Sequence, residues 1–174
     1  RGKTHDNIKT IRPLKDGVIA DFFGGLESSY GVDHWKKLPN KEKAITDLKH
    51  SNFFDILELF STSVELVSFV RELAGDNYGI CSSPLRGDHQ NSSYHKRVWL
   101  TRHGFMPQVQ HLIFTGQKEN HAVDDLTGTP NILVDDKPTN IARWIEKGGI
   151  GIRYQANEDS LNDLKMNLQA VYKD

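Results

Sequence analysis

The stretch NILVDDKPTNIARWIEKGGIGI, residues 131–152, decides how this chain is read. An apolar run, Asn131 to Asp135, has strand character and ends in two adjacent carboxylates, Asp135 and Asp136. Pro138 then suits the first turn of a helix, because its missing N–H has no partner there anyway. Ile141, Trp144 and Ile145 follow at helical spacing, Gly148 and Gly149 end the helix, and a second apolar run occupies Gly151 to Tyr154. Strand, helix, strand in this order predicts a parallel pair with a right-handed crossover.

The same alternation extends upstream. Ile8 to Leu14, Tyr78 to Ser82 and His111 to Phe114 read as three further strands. Thr62 to Gly75 reads as a helix, with Thr62 and Glu65 as a capping box and Leu66, Val67, Val70, Leu73 and Ala74 on one face. Ser92 to His103 reads as another, turning Val98 and Trp99 inward, and Leu161, Leu164, Leu168 and Val171 mark a closing amphipathic helix. The expected fold is one α/β domain over residues 1–174, a Rossmann-like parallel sheet of about five strands flanked by helices. Residues 22 to 60 fit the alternation poorly and read as a small helical cap, with a polar helix from Asn40 to His50. Phe22, Phe23, Tyr30, Trp35, Phe53 and Phe54 either cover the strand ends from that cap or fill the main core, since aromatic side chains are mostly core residues.

Composition sets the limits. The chain has 174 residues, 37% hydrophobic and 26% charged, enough for one core without staples. Its 22 basic and 23 acidic residues leave a net charge of −1, which disfavours nucleic acid or an anionic membrane surface as a partner. The single cysteine, Cys81, cannot form an internal disulfide. No apolar run reaches the ~18 residues of a membrane span. The start, RGKTHDNIKT, offers neither an apolar signal core nor an initiator methionine. A processed product or a fragment is one reading of that start, and the cytoplasm is the default compartment. His89, His95, His103 and His111 are too scattered to suggest zinc.

In parallel sheets ligands sit beyond the carboxyl ends of the strands. Three such ends carry chemistry: LKDGVIADF (14–22) with Asp16 and Gly17, GICSSPLRGD (79–88) with Ser82 and Ser83, and NILVDDKPTN (131–140) with Asp135 and Asp136. Paired carboxylates repel unless a cation neutralises them, and magnesium, which prefers oxygen ligands, is the natural partner for Asp16 with Asp135. Each signal alone has an ordinary explanation. Asp-Gly makes turns, Ser-Ser-Pro makes loops, and Asp-Asp before Lys-Pro starts helices.

Together, DGVIADF, the strand-end CSSP and ILVDDKPTNIARWIEKGGIGI resemble the motifs of 5′(3′)-deoxyribonucleotidases of the haloacid dehalogenase superfamily, from about Ile8 to Tyr154. The resemblance implies magnesium-dependent hydrolysis of nucleoside monophosphates through an aspartyl-phosphate. It matches Asp16 to the acid/base residue, Ser82 to the phosphate-binding hydroxyl, and Lys118 and Lys96 to phosphate-side lysines, with Arg86 as a supplement. Both lysines read equally well as solvated surface residues. Asp16, Asp135 and Asp136 match the metal ligands.

The nucleophile position is Leu14, in PLKDG, where the family has Asp-x-Asp-Gly. A hydrocarbon has no lone pair with which to attack phosphorus or bind magnesium. The nearest upstream acid, Asp6, is eight residues away. The match at Gly17 and Val18 argues against a shifted register, and the changes at Pro13 and Lys15 argue against a single engineered replacement. Loss of a covalent nucleophile costs factors reaching ~10⁶ elsewhere. The expectation is a degenerate nucleotidase kept as a binding or structural module, with any Mg2+ site weakened. The alternative is an active magnesium-dependent 5′-nucleotidase. Its partner would be a nucleoside monophosphate or phosphate; a protein partner or a second copy would use the cap or an outer helix.

Overall fold

The computed structural model describes residues 9–173. Ile8 and Asp6 therefore lie outside the described residues. Five parallel strands make the centre: β1 (Ile11–Pro13), β2 (Ile80–Ser82), β3 (Leu112–Phe114), β4 (Ile132–Asp135) and β5 (Ile150–Arg153). Continuous ladders join β1, β4 and β5 on one side and β2 with β3 on the other. Parallel bridges Ile11 to Tyr78 and Leu14 to Cys81 close the seam, so the strands run β3, β2, β1, β4, β5 across the sheet.

Pro13 explains why that seam is thin. The N–H of Leu14 donates to the carbonyl of Val134 in β4, and the carbonyl of Ile11 accepts from Gly79 just before β2. Alternate residues of β1 thus address opposite neighbours, and Pro13 falls on the β2 side, where its missing N–H removes a rung.

Strand β4 is buried along its whole length, as an interior parallel strand should be. Its alternate side chains feed two layers. Ile132 and Val134 join the main core with Ile11, Val18, Ile19, Leu66, Ile80 and Trp99, while Leu133 packs on the opposite face with Cys81, Ala122 and Trp144.

The helices are α1 (Phe22–Tyr30), α2 (Lys41–Thr46), α3 (Ser63–Ala74), α4 (His89–Arg102), α5 (Pro138–Glu146) and α6 (Leu161–Lys173). None among the described residues is long and apolar enough to cross a membrane. Helix α5 opens on Pro138 as expected. Two details differ from the sequence reading. Thr62 is the N-cap residue of α3 but makes no capping bond, and its buried hydroxyl has no partner, so the capping box is not formed. Helix α4 begins at His89, and it turns Trp99 and Leu100 inward while Val98 stays half-buried on the outer side, beside Tyr94 and Arg97.

Residues 22 to 60 hold α1, α2 and two short 3-10 turns, Trp35–Lys37 and Phe53–Asp55. The aromatic side chains divide. Phe53 and Phe54 enter the main core, whereas Phe23 stacks on Trp35 at 5.0 Å in a more exposed position. The returning chain is tied down by the Trp99 indole N–H, which donates to the Leu57 carbonyl over 2.8 Å.

Candidate phosphate site

The ends of β1, β2 and β4 meet, and each delivers the polar residue its sequence carries. Ser82 closes β2 with 1% of its surface exposed, and its hydroxyl accepts a 2.8 Å hydrogen bond from the Lys96 ammonium. Lys96 comes from the inner face of α4 and is 2% exposed. Its ammonium also donates to the Ser83 carbonyl at 2.6 Å and pairs with Asp16 Oδ2 at 2.8 Å. Lys96 is therefore a buried member of the site and not a solvated surface lysine.

The other oxygen of Asp16 belongs to a residue that sequence reasoning passed over. Lys15 is fully buried, and its Nζ lies 2.8 Å from Asp16 Oδ1. The same ammonium donates to the Phe54 carbonyl at 3.3 Å and sits 4.5 Å from the centre of the Trp99 ring. Phe54 also faces Lys96, 4.6 Å from ring centre to Nζ. An aromatic cradle of this kind holds a cation through the ring quadrupole. A lysine between a strand-end leucine and an aspartate was a visible signal. The partners that bury it, Phe54 and Trp99, are far away in sequence.

Asp16 thus carries two ammonium partners, one per oxygen. Burial opposes its ionisation, but Lys15 and Lys96 outweigh that and hold its carboxyl well below the usual range. Burial pulls Lys15 down to about 8 despite Asp16. Burial also lowers Lys96. Two buried ammoniums face one carboxylate, leaving one positive charge uncompensated within this group.

At the end of β4, Asp135 is fully buried. It accepts from the backbone N–H of Lys137 at 2.9 Å and the Asn140 side-chain amide at 3.0 Å, and it pairs with Lys118 at 3.4 Å. Lys118, on a short 3-10 turn after β3, is 6% exposed, so it too belongs to the interior. Asn140 in the first turn of α5 is a second residue the sequence reading missed. Asp136 is pushed up to about 6, first by burial and then by the neighbouring Asp135 charge. Arg86 is exposed on the turn after β2 and stands outside the buried cluster.

Leu14, at the end of β1, is 6% exposed and belongs to the main apolar core. The three carboxylates that match metal ligands are not equivalent. Asp16 is claimed by two lysines, and Asp135 by Lys118, Asn140 and a backbone N–H. Asp136 alone of the three has no ion pair among the described residues. No three His, Cys, Asp or Glu side chains among the described residues converge as a metal-binding group.

No family model matches the chain. In sequence it is similar to the mitochondrial 5′(3′)-deoxyribonucleotidase of mouse, 27% identical over 144 residues, which cover 71% of this chain and 62% of the mouse protein. The human mitochondrial protein aligns with the same identity over 60% of its length. The chain therefore spans less than two thirds of these relatives. In fold it is similar to a solved dehalogenase structure, with a TM-score of 0.57 at 8% identity, covering 98% of this chain and 100% of that one. A predicted HAD-like family hydrolase from Porphyromonas gingivalis gives a TM-score of 0.51 at 12% identity, covering 94% and 98%.

Proposed function

We propose that this chain, a 5′-nucleotidase-like member of the haloacid dehalogenase superfamily, binds the phosphate of a nucleoside monophosphate without hydrolysing it. One observation carries the reading. Lys15 and Lys96 each lie 2.8 Å from Asp16 in a buried cluster that includes Ser82, so two cations share one carboxylate. In the family pattern a second carboxylate, the nucleophile, would stand at the position of Leu14. With a hydrocarbon there, Lys15 and Lys96 have only the Asp16 carboxylate between them, and a buried ammonium gains most from a ligand that supplies charge-assisted hydrogen bonds. Nucleoside monophosphates as the ligand class rest on the similarity to deoxyribonucleotidases.

Turnover is a separate matter from binding. A covalent mechanism needs an attacking lone pair, and Leu14 has none. Magnesium would meet one carboxylate, Asp136, that is not already engaged by a lysine, so a tightly held ion is not part of this reading.

Calorimetric titration with inorganic phosphate and with deoxynucleoside monophosphates, run beside a phosphate-release assay, tests the proposal. Saturable binding with no release above buffer is the expected result. Enzyme-like release that Asp135→Asn abolishes would establish the active alternative. Absence of any binding would leave a purely structural role.

A further inference from the structure

We infer that Lys15 is a built-in lock on Asp16, so that the site is silenced twice: once by Leu14 and again by the lysine beside it. This rests on the non-hydrolysing reading above and adds a second, independent cause.

Asp16 occupies the position that the family pattern assigns to protonating the departing oxygen. To do so, a carboxyl must present an oxygen toward the leaving group. Here each oxygen already faces an ammonium, Oδ1 that of Lys15 and Oδ2 that of Lys96, each at 2.8 Å. Only 14% of the side chain is exposed, so the carboxyl is pinned and cannot turn toward a leaving group without breaking one of these pairs. The Lys96 contact suits a phosphate-binding lysine, because Lys96 also bonds the phosphate-side hydroxyl of Ser82. The Lys15 contact has no such second use. Its ammonium is gripped from the far side by the Phe54 carbonyl at 3.3 Å and by the Trp99 ring at 4.5 Å. No part of Lys15 reaches solvent. A flexible surface lysine could swing away when substrate arrives, whereas one packed beneath two aromatic side chains cannot do so without opening the core. Lys15 is thus a positioning residue that acts through Asp16.

The lock makes restoring the nucleophile alone insufficient, in a way that depends on the leaving group. In the restored reaction a carboxylate oxygen at position 14 forms a bond to phosphorus as the ester P–O bond breaks. Water then cleaves that acyl-phosphate to inorganic phosphate and the free carboxylate, a step that no longer involves the leaving group. The departing oxygen of a deoxynucleoside is a poor leaving group and must take a proton from Asp16. Nitrophenolate leaves without one. General acid catalysis contributes roughly 10²–10⁴-fold where the leaving group needs it.

The test compares Leu14→Asp with the double variant Leu14→Asp and Lys15→Met, both with magnesium in the buffer. The readout is the first-turnover burst of leaving group, which precedes the hydrolysis step common to all substrates. The two variants should release nitrophenol from p-nitrophenyl phosphate at similar burst rates. The double variant should exceed the single one by about 100-fold in burst release of deoxynucleoside from its monophosphate. Equal rates on both substrates would overturn the lock, as would a uniform gain on both, which marks a structural effect, or no turnover by either variant. Hydrolysis of deoxynucleoside monophosphates by the wild-type chain would instead overturn the reading on which the lock rests. Because a buried carboxylate at position 14 can prevent folding, a second measurement uses the wild-type protein. Ammonium-detected NMR should show a slowly exchanging Lys15 resonance that vanishes in Lys15→Met. Finding only rapidly exchanging lysine ammoniums would refute the contact itself.

Discussion

A β-carbon on Gly17 would lie 2.7 Å from both carboxylate oxygens of Asp136. The turn after β1 therefore packs against the Asp136 side chain at the end of β4, which a methyl group there would force to shift. Gly17 also has φ of +101°, a conformation that side chains resist. Gly17→Ala is expected to lower stability by about 1–3 kcal/mol through strain and contact together. Gly31→Ala is the control, since its φ of +65° is also positive but nothing lies within 4 Å of the added carbon. That variant should cost only about 1 kcal/mol. Urea unfolding of the two variants distinguishes these outcomes, and equal losses would mean that the Asp136 contact contributes nothing.

Asp136 itself should make stability depend on pH in an unusual direction. Its carboxyl is pushed up to about 6 in the folded protein, above its ordinary value. Protonation therefore favours the folded state. The contribution is fully present below the unfolded value near 4, and it is lost as pH rises through 6. Asp16 is shifted the opposite way, so its contribution is lost only in stronger acid. Burial lowers His103, His111 and His121, and these work against folding as pH falls. Subtracting Asp136→Asn from wild type, with chelator present, removes their effect. The difference should favour wild type by up to about 2 kcal/mol more at pH 4 than at pH 7. A flat difference would contradict a half-buried carboxylate with no ion pair among the described residues.

The sheet was readable because its strands obey local rules. Ile132 to Asp135 is apolar throughout, bounded by Pro130 and Pro138, and it forms β4 where expected. Ser82, Asp16 and Asp135 were readable for the same reason, because Ser82 and Asp135 end strands and Asp16 lies in the turn just after one. What was not readable is how the charges pair. Lys15 is stabilised by Phe54 and Trp99, which lie in the 22–60 segment and on α4. Lys96 and Lys118 looked equally like surface residues, since Lys96 sits in the polar stretch that opens α4 and Lys118 on a short turn with no periodicity to say which way it faces. Leu14 fits in the core because a strand-end leucine packs well.

Thr62 gives a direct test of one local rule that failed. A threonine three residues before a glutamate at a helix start usually satisfies a backbone N–H, and removing such a cap costs about 1 kcal/mol. In α3 the Thr62 side chain makes no capping bond, and its buried oxygen has no partner. Thr62→Ala removes a desolvated hydroxyl and loses no hydrogen bond. Stability should change by less than about 0.5 kcal/mol or increase. A loss of a full kilocalorie in chemical denaturation would show that the cap forms after all.

Cys81 offers a probe of how the sheet opens. It lies in β2 between Ile80 and Ser82, has no exposed surface, and packs with Leu133 and Trp144. Burial pushes its thiol up to about 11, so the reactive thiolate is scarce at neutral pH. Reaching it requires β2 to part from the elements covering that face, because the Cys81 side chain lies on the same sheet face as Leu133, packed with Ala122 and Trp144. Labelling by a disulfide reagent at pH 8 should therefore be at least ~100-fold slower in the native protein than in denaturant. The rate should climb with sub-denaturing urea along the same slope as global unfolding. Fast stoichiometric labelling in native buffer, or a rate indifferent to urea, would mean that the β2 end of the site opens locally and that the Ser82–Lys96 pair is held less firmly than its burial implies.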